Sequence, residues 1–309
     1  MLDHFSGRPT FIHGAALPDA SGRDAFLDDH RQRLRALDQL GVAAAQCGIR
    51  ADQDRDFVLL AEEEVSLLES AGDEWARLLK AIRTFRSSLP IIPLDKFGFS
   101  PEAEDPFETD VPPMDRLGGG VEALAFADKD ASVYKFFFFR EGGSVGATFR
   151  FRKDDVHLLY AQATSGTYRD LLEKIAVLNA IGGMPTEITA ITPEGILVAK
   201  QTFGRRLTEG TDTGRLLPAS LISIPSKFLR CDRDHPRLAF VDGAPWLVAD
   251  FHDRNLVFDE TGAPRVIDLV AAPFPPEIIA NTPPLRQWLD RVQRDPAAGL
   301  LDDVPDSEL

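Results

Sequence analysis

The chain contains few of the residues that build disulfides, metal clusters or membrane spans. Among its 309 residues there are two cysteines, Cys47 and Cys231, and six histidines. The cysteines lie far apart and lack metal-ligand spacing, so we expect free thiols in a reducing compartment. The start of the chain lacks a charged segment followed by an apolar run, and no apolar stretch approaches the ~20 residues of a membrane helix. These absences predict a cytoplasmic protein with no membrane partner.

Positive charge is also scarce. The chain has 34 Lys and Arg against 49 Asp and Glu, a net charge of −15. Such a surface repels nucleic-acid phosphates and anionic lipids, which argues against either as the main partner. Hydrophobic residues make up 44% and charged residues 27%, as in ordinary globular proteins. The length suits one large domain or two smaller ones.

Residues 1–87 show helical periodicity and no cluster of chemically reactive side chains. We predict helices over residues 23–40, over residues 54–70 and from Asp73 onward, the last with Trp75, Leu78 and Phe85 on its apolar face. This helical module is interpreted as a packing element or as a surface for a protein partner. Residues 88–116 then contain six prolines and a group of acidic residues, which indicates a linker or an arm lying on the surface.

From Leu117 onward the pattern mixes strands with one helix, which predicts an α+β fold. A glycine turn precedes a strand that ends at Ala127, and an aromatic strand covers residues 132–139. A helix follows over Tyr168–Ile181, then two strands near residues 187–191 and 196–201. Residues 216–229 are predicted to be partly helical, and residues 284–293 to form a short helix.

The stretch from Asp250 to Leu269, DFHDRNLVFDETGAPRVIDL, contains the strongest chemical signal. Two short strands joined by a turn bring Asn255 and Asp268 to the same end of a hairpin. Their amide and carboxylate oxygens are hard ligands that suit Mg²⁺. Asp250 on the preceding loop can accept a proton from a hydroxyl. The alternative is an acidic hairpin with exposed aspartates and no function.

Residues upstream of this hairpin are suited to holding a triphosphate. Gly118, Gly119 and Gly120 would let the backbone approach phosphate closely, because a Cβ would keep it away. Lys135 would project from its strand toward the phosphates, and Glu173 on the following helix would fix its position, with Asp170 as a competing acid. Simpler interpretations remain open. The glycines suit a flexible turn, Lys135 an edge strand, Glu173 a solvated helix face, and His252 a hydrogen bond within its loop.

The glycine turn, the strand with Lys135, the helix with Glu173 and the hairpin after Asp250 follow one another along the chain. In this order they resemble the protein-kinase-like superfamily over residues 117–269. The resemblance implies a kinase-like two-lobed fold, with an N-lobe over about residues 117–201 and a short C-lobe over about residues 205–309. It implies ATP and Mg²⁺, with Asp250, Lys135, Glu173 and His252 as the catalytic set. It also implies Asn255 and Asp268 as metal ligands. The glycines would bind ATP together with the hinge segment, which begins with Lys200, Gln201 and Thr202.

The departures from the family weaken any assignment of the acceptor. Val248-Ala249 stands where protein kinases have His-Arg, and Val270 stands where they have a glycine. Asp250-Phe251-His252-Asp253-Arg254-Asn255 is closer to aminoglycoside phosphotransferases, and Gly119-Gly120-Val121-Glu122 resembles kinase domains of polyvalent proteins. The chain after Asp268 is expected to be too short for the activation segment and helices of protein kinases. The predicted activity is therefore phosphoryl transfer to a hydroxyl of a protein or small molecule. The alternatives are a pseudokinase that regulates a partner and a plain interaction protein.

Overall fold

The computed structural model describes residues 20–48, 72–88, 90–100, 105–108, 113–120, 122–138, 145–153, 159–193 and 195–299. Within these ranges the chain forms five α-helices and four β-sheets, which confirms the predicted α+β class. The helices are α1 (Ala20–Gln46), α2 (Asp73–Ser88), α3 (Tyr168–Ala180), α4 (Pro276–Ala280) and α5 (Pro283–Arg294). In the described part of the chain, none of the helices combines the length and apolar character needed to span a bilayer.

The strands follow the chain as fifteen short elements. They are β1 (Asp115–Gly119), β2 (Ala123–Ala127), β3 (Ser132–Phe137), β4 (Ala147–Lys153), β5 (Leu159–Ser165), β6 (Thr186–Ile191), β7 (Leu197–Thr202), β8 (Arg205–Arg206), β9 (Ile222–Ser223), β10 (Leu229–Cys231), β11 (Arg237–Val241), β12 (Ala244–Ala249), β13 (Leu256–Phe258), β14 (Pro264–Val266) and β15 (Val270–Pro273).

The first and largest sheet is antiparallel and has the strand order β1-β2-β3-β7-β6. The turn between β2 and β3 is closed by the Asp128 carboxylate, which accepts hydrogen bonds from the amides of Asp130 and Ser132. This is the turn predicted from the sequence. Helix α3 precedes β6 in the chain and packs against the sheet through Leu171, Leu172 and Ile175.

The N-terminal helices share a hydrophobic core with α3 and the sheet. Leu37 and Leu40 of α1 lie in one buried cluster with Leu78 and Ile82 of α2 and with Leu172 of α3. The predicted helices near residues 23–40 and from Asp73 are confirmed, whereas the one predicted over 54–70 lies outside the described residues. Because α1 packs against both α2 and α3, the N-terminal helices form part of the same packed unit as the sheet.

The proline-rich segment is an arm packed on the sheet. Phe99 and Phe107 are buried against Phe126 of β2 and Phe136 of β3, with 5.0 Å between the ring centroids of Phe99 and Phe126. Such edge-to-face aromatic contacts add to the energy of burying the rings. Of the two predicted interpretations, linker and surface arm, the described residues support the arm.

The other three sheets form the second half of the molecule. Their strand orders are β10-β5-β4, β15-β12-β11-β9 and β14-β13-β8. The antiparallel pair β4–β5 has no counterpart among the sequence predictions, and one expectation fails here. Residues 216–229 contain strands β9 and β10 where partial helix was expected, because Pro218 and Pro225 interrupt any continuous helix.

The β13–β14 hairpin matches its prediction, and its turn explains one of the acidic residues. The Asp259 carboxylate accepts hydrogen bonds from the amides of Thr261 and Ala263 and from Arg265 Nε at 2.8 Å. Burial alone would raise the pKa of Asp259, but these hydrogen bonds outweigh it and lower the pKa. Arg265 also donates to the Gly182 carbonyl at 3.0 Å, which ties the hairpin to the end of α3.

Candidate functional site

A cleft of about 420 Å³ lies where the first sheet faces the β13–β14 hairpin. Its wall is formed by the β1–β2 turn, by β3, by the end of β7 and by the loop after β12. Most of the predicted site residues line it: Gly118, Gly119, Gly120, Lys135, Gln201, Thr202, Asp250, His252, Asn255 and Asp268. Glu173 and Lys200 do not. Most of the site residues predicted from the sequence therefore lie around one cavity.

Lys135 lies on the floor of this cleft and is 8% exposed. Its ammonium donates to the Ile267 carbonyl at 2.5 Å, and Gln201 Nε2 donates to the same carbonyl at 3.0 Å. Burial lowers the pKa of Lys135, and the nearby ammonium of Lys174 lowers it further, while Asp268 and Glu122 act in the opposite direction. Within the described part of the chain, this buried lysine therefore has a carbonyl, and no carboxylate, as its hydrogen-bond partner.

The predicted pair of Lys135 with Glu173 is wrong. Glu173 accepts a hydrogen bond from Arg169 at 2.9 Å, and Arg169 also pairs with Asp38 of α1. Burial raises the pKa of Glu173, and Arg169 partly opposes that shift. The competing candidate, Asp170, caps α3 by accepting from the Thr167 amide at 2.7 Å. Glu173 therefore pairs with Arg169 on its own helix, and Asp170 caps the start of that helix.

The helix residue that does reach the site is Lys174, which is 2% exposed. Its ammonium lies 2.5 Å from Glu122 Oε2 and 2.9 Å from Asp268 Oδ1. Burial alone would lower the pKa of Lys174, but the carboxylates of Asp268 and Glu122 outweigh it and raise the pKa. Burial would likewise raise the pKa of Asp268, but Lys174 and Lys135 outweigh it and lower the pKa. Lys174 thus links Glu122 and Asp268 through one buried ammonium.

Lys174 and Glu122 were not predicted as site residues, although the sequence contains a signal for Lys174. It follows Leu171 by three residues and precedes Leu178 by four, so helical periodicity places it on the buried face of α3. A lysine on such a face needs an anionic partner. Glu122 directly precedes β2 and offers no comparable periodic signal.

Asp250 has an unusual backbone conformation at the end of β12. Its φ angle is 77°, in the left-handed region, which among residues other than glycine is visited mainly by Asn and Asp. Its amide donates to the Asp234 carbonyl at 2.9 Å, and Asn255 Nδ2 donates to both its backbone oxygen at 2.9 Å and its carboxylate at 3.1 Å. These bonds hold the Asp250 carboxylate at the cleft in a fixed orientation.

His252 lies close to Asp250 but does not form a hydrogen bond with it. His252 Nε2 is 3.8 Å from Asp250 Oδ2, which is beyond hydrogen-bond distance. Its other ring nitrogen, Nδ1, is buried and has no hydrogen-bond partner among the described residues. The interpretation of His252 as a residue that hydrogen-bonds within its own loop is therefore not supported at either nitrogen, and its catalytic role remains a prediction.

The donor set beside the hairpin fits a divalent cation that also binds phosphate. Since Asn255 Nδ2 donates to Asp250, the amide presents Oδ1 as its acceptor. Asp268 Oδ1 accepts from Lys174 and the Leu269 amide, and no described residue hydrogen-bonds Oδ2. Two hard oxygen donors are typical of Mg²⁺ sites that share the ion with phosphate oxygens. In the described part of the chain, no group of three or more His, Cys, Asp or Glu side chains could hold a metal ion by itself.

The glycine turn has the open space that was predicted for it, whereas the segment that begins at Lys200 fits its predicted role as an adenine-binding hinge less closely. A Cβ on Gly118 or Gly120 would meet nothing within 4 Å, so both leave open space beside the cleft. Lys200 does not line the cleft, and its ammonium lies over the Tyr134 ring, 5.7 Å from the centroid, so the role of its backbone in the hinge stays a prediction. The Phe203 amide already donates to the Ala131 carbonyl at 2.9 Å. The backbone groups of this segment are thus partly used by the sheet.

Comparison with known proteins adds no assignment: no family model, no curated protein and no solved structure matches this chain. A function must therefore be argued from the geometry of the cleft.

Proposed function

We propose that this chain is an ATP- and Mg²⁺-dependent phosphotransferase that transfers the γ-phosphoryl group to a hydroxyl of a protein or small molecule. Its fold would be kinase-like and two-lobed, with a short C-terminal lobe. The observation that supports this most is the convergence of the glycine turn, the buried Lys135 and the three residues Asp250, Asn255 and Asp268 around one cleft. Phosphoryl transfer needs these parts, because its catalysis depends on positioning and charge stabilisation.

Each group has a role that its contacts support. Lys135 would bind the α- and β-phosphates, and the turn at Gly118 and Gly120 would cover them. Asn255 and Asp268 would hold Mg²⁺, which when bound supplies positive charge against the phosphate oxygens. Asp250 would orient the acceptor hydroxyl and take its proton. The acceptor oxygen then bonds to the γ-phosphorus, the bond to the β,γ-bridging oxygen breaks, and ADP leaves with that electron pair.

The second candidate is a nucleotide-binding module without turnover, a pseudokinase that regulates a partner. A specific observation favours it: Lys135 and Asp268 already have partners inside the protein, the Ile267 carbonyl and Lys174. In addition, Leu269 alone separates Asp268 from β15, so a strand of the second half begins where protein kinases have an activation segment. Under this proposal the N-terminal helices would contact the partner. The cytoplasmic location and the absence of nucleic-acid and membrane partners remain predictions.

Two measurements on purified protein separate these functions. Thermal unfolding with ATP and Mg²⁺ should show stabilisation of the wild type, about 2.7 kcal/mol at a ligand concentration of 100 times Kd, and much less for Asp268→Asn. No stabilisation of the wild type would argue against both nucleotide functions and would leave a plain interaction protein. Equal stabilisation of both proteins would argue against Asp268 as a metal ligand.

Transfer of radiolabelled phosphate, to the protein itself or to candidate acceptors, tests turnover. Asp250→Asn is the suitable variant, because Asn accepts the left-handed φ of 77° and keeps the shape of the side chain. It should retain ATP binding and lose transfer by about 10²–10⁴-fold. Full transfer activity in this variant would show that Asp250 is not the base. Binding without transfer in the wild type would favour the pseudokinase.

A further inference from the structure

Lys174 is a buried cation directly behind the candidate phosphate site. The two carboxylates that it contacts, Glu122 and Asp268, both line the cleft, whereas Lys174 itself does not. Glu122 follows the glycine turn and Asp268 follows the β13–β14 hairpin. One ammonium therefore joins the two sides of the cleft, at distances of 2.5 and 2.9 Å.

The acids Glu122 and Asp268 both pair with Lys174, and Lys135 lies close enough to Asp268 to interact with it electrostatically. Asp250, Arg206 and Arg254 also line the cleft. The Lys174 ammonium also lies 6.0 Å from the centroid of the uncharged Phe137 ring. Without Lys174, two carboxylates would face a triphosphate beside a single ammonium, and repulsion would oppose binding. A divalent ion bound at Asp268 is the usual means of offsetting that repulsion.

We propose that Lys174 is a built-in cation of the phosphate site, which neutralises Glu122 and Asp268 from behind the cleft and so weakens the requirement of nucleoside-triphosphate binding for a divalent ion. This inference depends on the nucleotide-binding part of the proposed function and not on phosphoryl transfer. Lys174 acts through the two carboxylates and is therefore a positioning residue, which does not touch the ligand.

The fold holds this cation in place from several directions. Helix α3 begins with a capping box formed by Thr167 and Asp170. Near its other end, the Asn179 side chain is hydrogen-bonded to both the amide and the carbonyl of Thr186 on β6. Helix α1 packs against α3, and α2 packs against α1. Since α3 is held at both ends and along its length, the backbone of Lys174 stays behind the cleft and its ammonium acts from there.

The test compares two substitutions at opposite ends of the same ion pair. Lys174→Met removes a positive charge and Glu122→Gln removes a negative one, so the proposal requires opposite effects on ATP binding. Binding is measured by titration with ATP, once in excess EDTA and once in excess Mg²⁺. In EDTA, Lys174→Met should weaken binding by about tenfold or more and Glu122→Gln should strengthen it. In Mg²⁺ both effects should be smaller, and the double variant should return toward wild-type affinity in EDTA.

Each other outcome has a definite meaning. If both single variants weaken binding equally in EDTA, the ion pair only supports the shape of the site and the proposal is overturned. The proposal also fails if Lys174→Met does not change affinity in EDTA while the wild type binds ATP there or in Mg²⁺. If Lys174→Met does not fold, Glu122→Gln decides alone, since weaker binding in EDTA would contradict the proposal. Absence of ATP binding by the wild type under both conditions would overturn the proposed function itself, and the inference with it.

Discussion

Replacing Lys135 with Met should separate nucleotide binding from folding stability. The Lys135 side chain is 8% exposed, so Met of similar length can occupy its space. The Ile267 carbonyl would lose the Lys135 ammonium but would keep the hydrogen bond from Gln201 Nε2 at 3.0 Å. The substitution therefore leaves no buried carbonyl without a donor, which is the condition that makes such changes strongly destabilising.

The expected magnitudes follow from these contacts. A hydrogen bond to a charged group is worth about 1.5–3 kcal/mol, whereas removing a buried ammonium relieves a desolvation penalty of several kcal/mol. The two effects nearly offset each other, so the free energy of unfolding should change by less than about 2 kcal/mol in either direction. Loss of the charged contact to phosphate should weaken ATP binding by about 10- to 100-fold.

The dependence on pH provides a second check of the same variant. Burial lowers the pKa of Lys135 in the folded state below the ordinary value of 10.5, so the unfolded chain holds this proton more tightly. Wild-type stability should therefore gain from this residue as pH rises from the folded pKa toward 10.5. Met cannot titrate, so the stability of the variant relative to the wild type should be highest below that window and should fall within it.

The assay is chemical denaturation of both proteins over a pH series, together with ATP titration. Lys200→Met is the matched control, because it makes the same chemical change on the neighbouring strand β7, where Lys200 is paired with Tyr134 and does not line the cleft. The control should bind ATP as the wild type does. Unchanged ATP affinity in Lys135→Met would refute the assignment of Lys135 to the phosphate site. A loss of more than about 4 kcal/mol of stability would refute the argument from Gln201.

Three further substitutions test the turn, the glycine loop and the helical packing. Asp259→Ala should destabilise the fold by about 3 kcal/mol by unfolding titration, because Arg265 loses its buried partner. Its effect should shrink in acid, since a carboxylate of lowered pKa contributes stability above the unfolded pKa of 3.8 and loses it as pH falls through the folded value. Gly120→Val should leave the melting temperature unchanged but weaken ATP binding, because its Cβ meets nothing within 4 Å in the protein; a large loss of stability would contradict this. Leu40→Ala should cost about 2–5 kcal/mol in one cooperative transition, and two separate transitions in calorimetry would show an independent helical module.

The elements that sequence reasoning predicted well have strong local signals. The β13–β14 hairpin is defined by two short apolar strands and a turn that contains Asp259, Thr261 and Gly262. The short turn fixes which residues of the two strands are paired. Helices α2 and α3 show the apolar spacing of one buried face. For such segments the local pattern and the tertiary contacts favour the same conformation, which is why the prediction succeeds.

The failures occur where distant contacts decide the conformation. Strands β9 and β10 have two and three residues, too few for a periodic signal. β9 pairs with β11 across the intervening β10, and β10 pairs with β5, which lies before α3 in the sequence. The arm that contains Phe99 and Phe107 has the composition of a linker, yet the aromatic rings of β2 and β3 provide a surface for it. Composition alone does not show what a segment packs against.

The helix residue at the site is Lys174, whereas Glu173 was predicted. This difference of one position along the helix changes the electrostatics of the site. Successive residues on a helix are about 100° apart, so neighbours cannot face the same cleft. The resemblance to kinases favoured the acid, whereas the spacing from Leu171 and Leu178 favoured the lysine, and the described structure follows the spacing. The difference has a chemical consequence. An acid at this position would pair with Lys135 and leave Asp268 free for metal, whereas the lysine pairs with Asp268 and leaves Lys135 with a carbonyl. Under the proposed function, a bound nucleotide would therefore meet Lys135 in the cleft, with Lys174 behind it. The effect of a lysine in place of an acid should appear in the ratio of the ATP affinities measured with and without Mg²⁺.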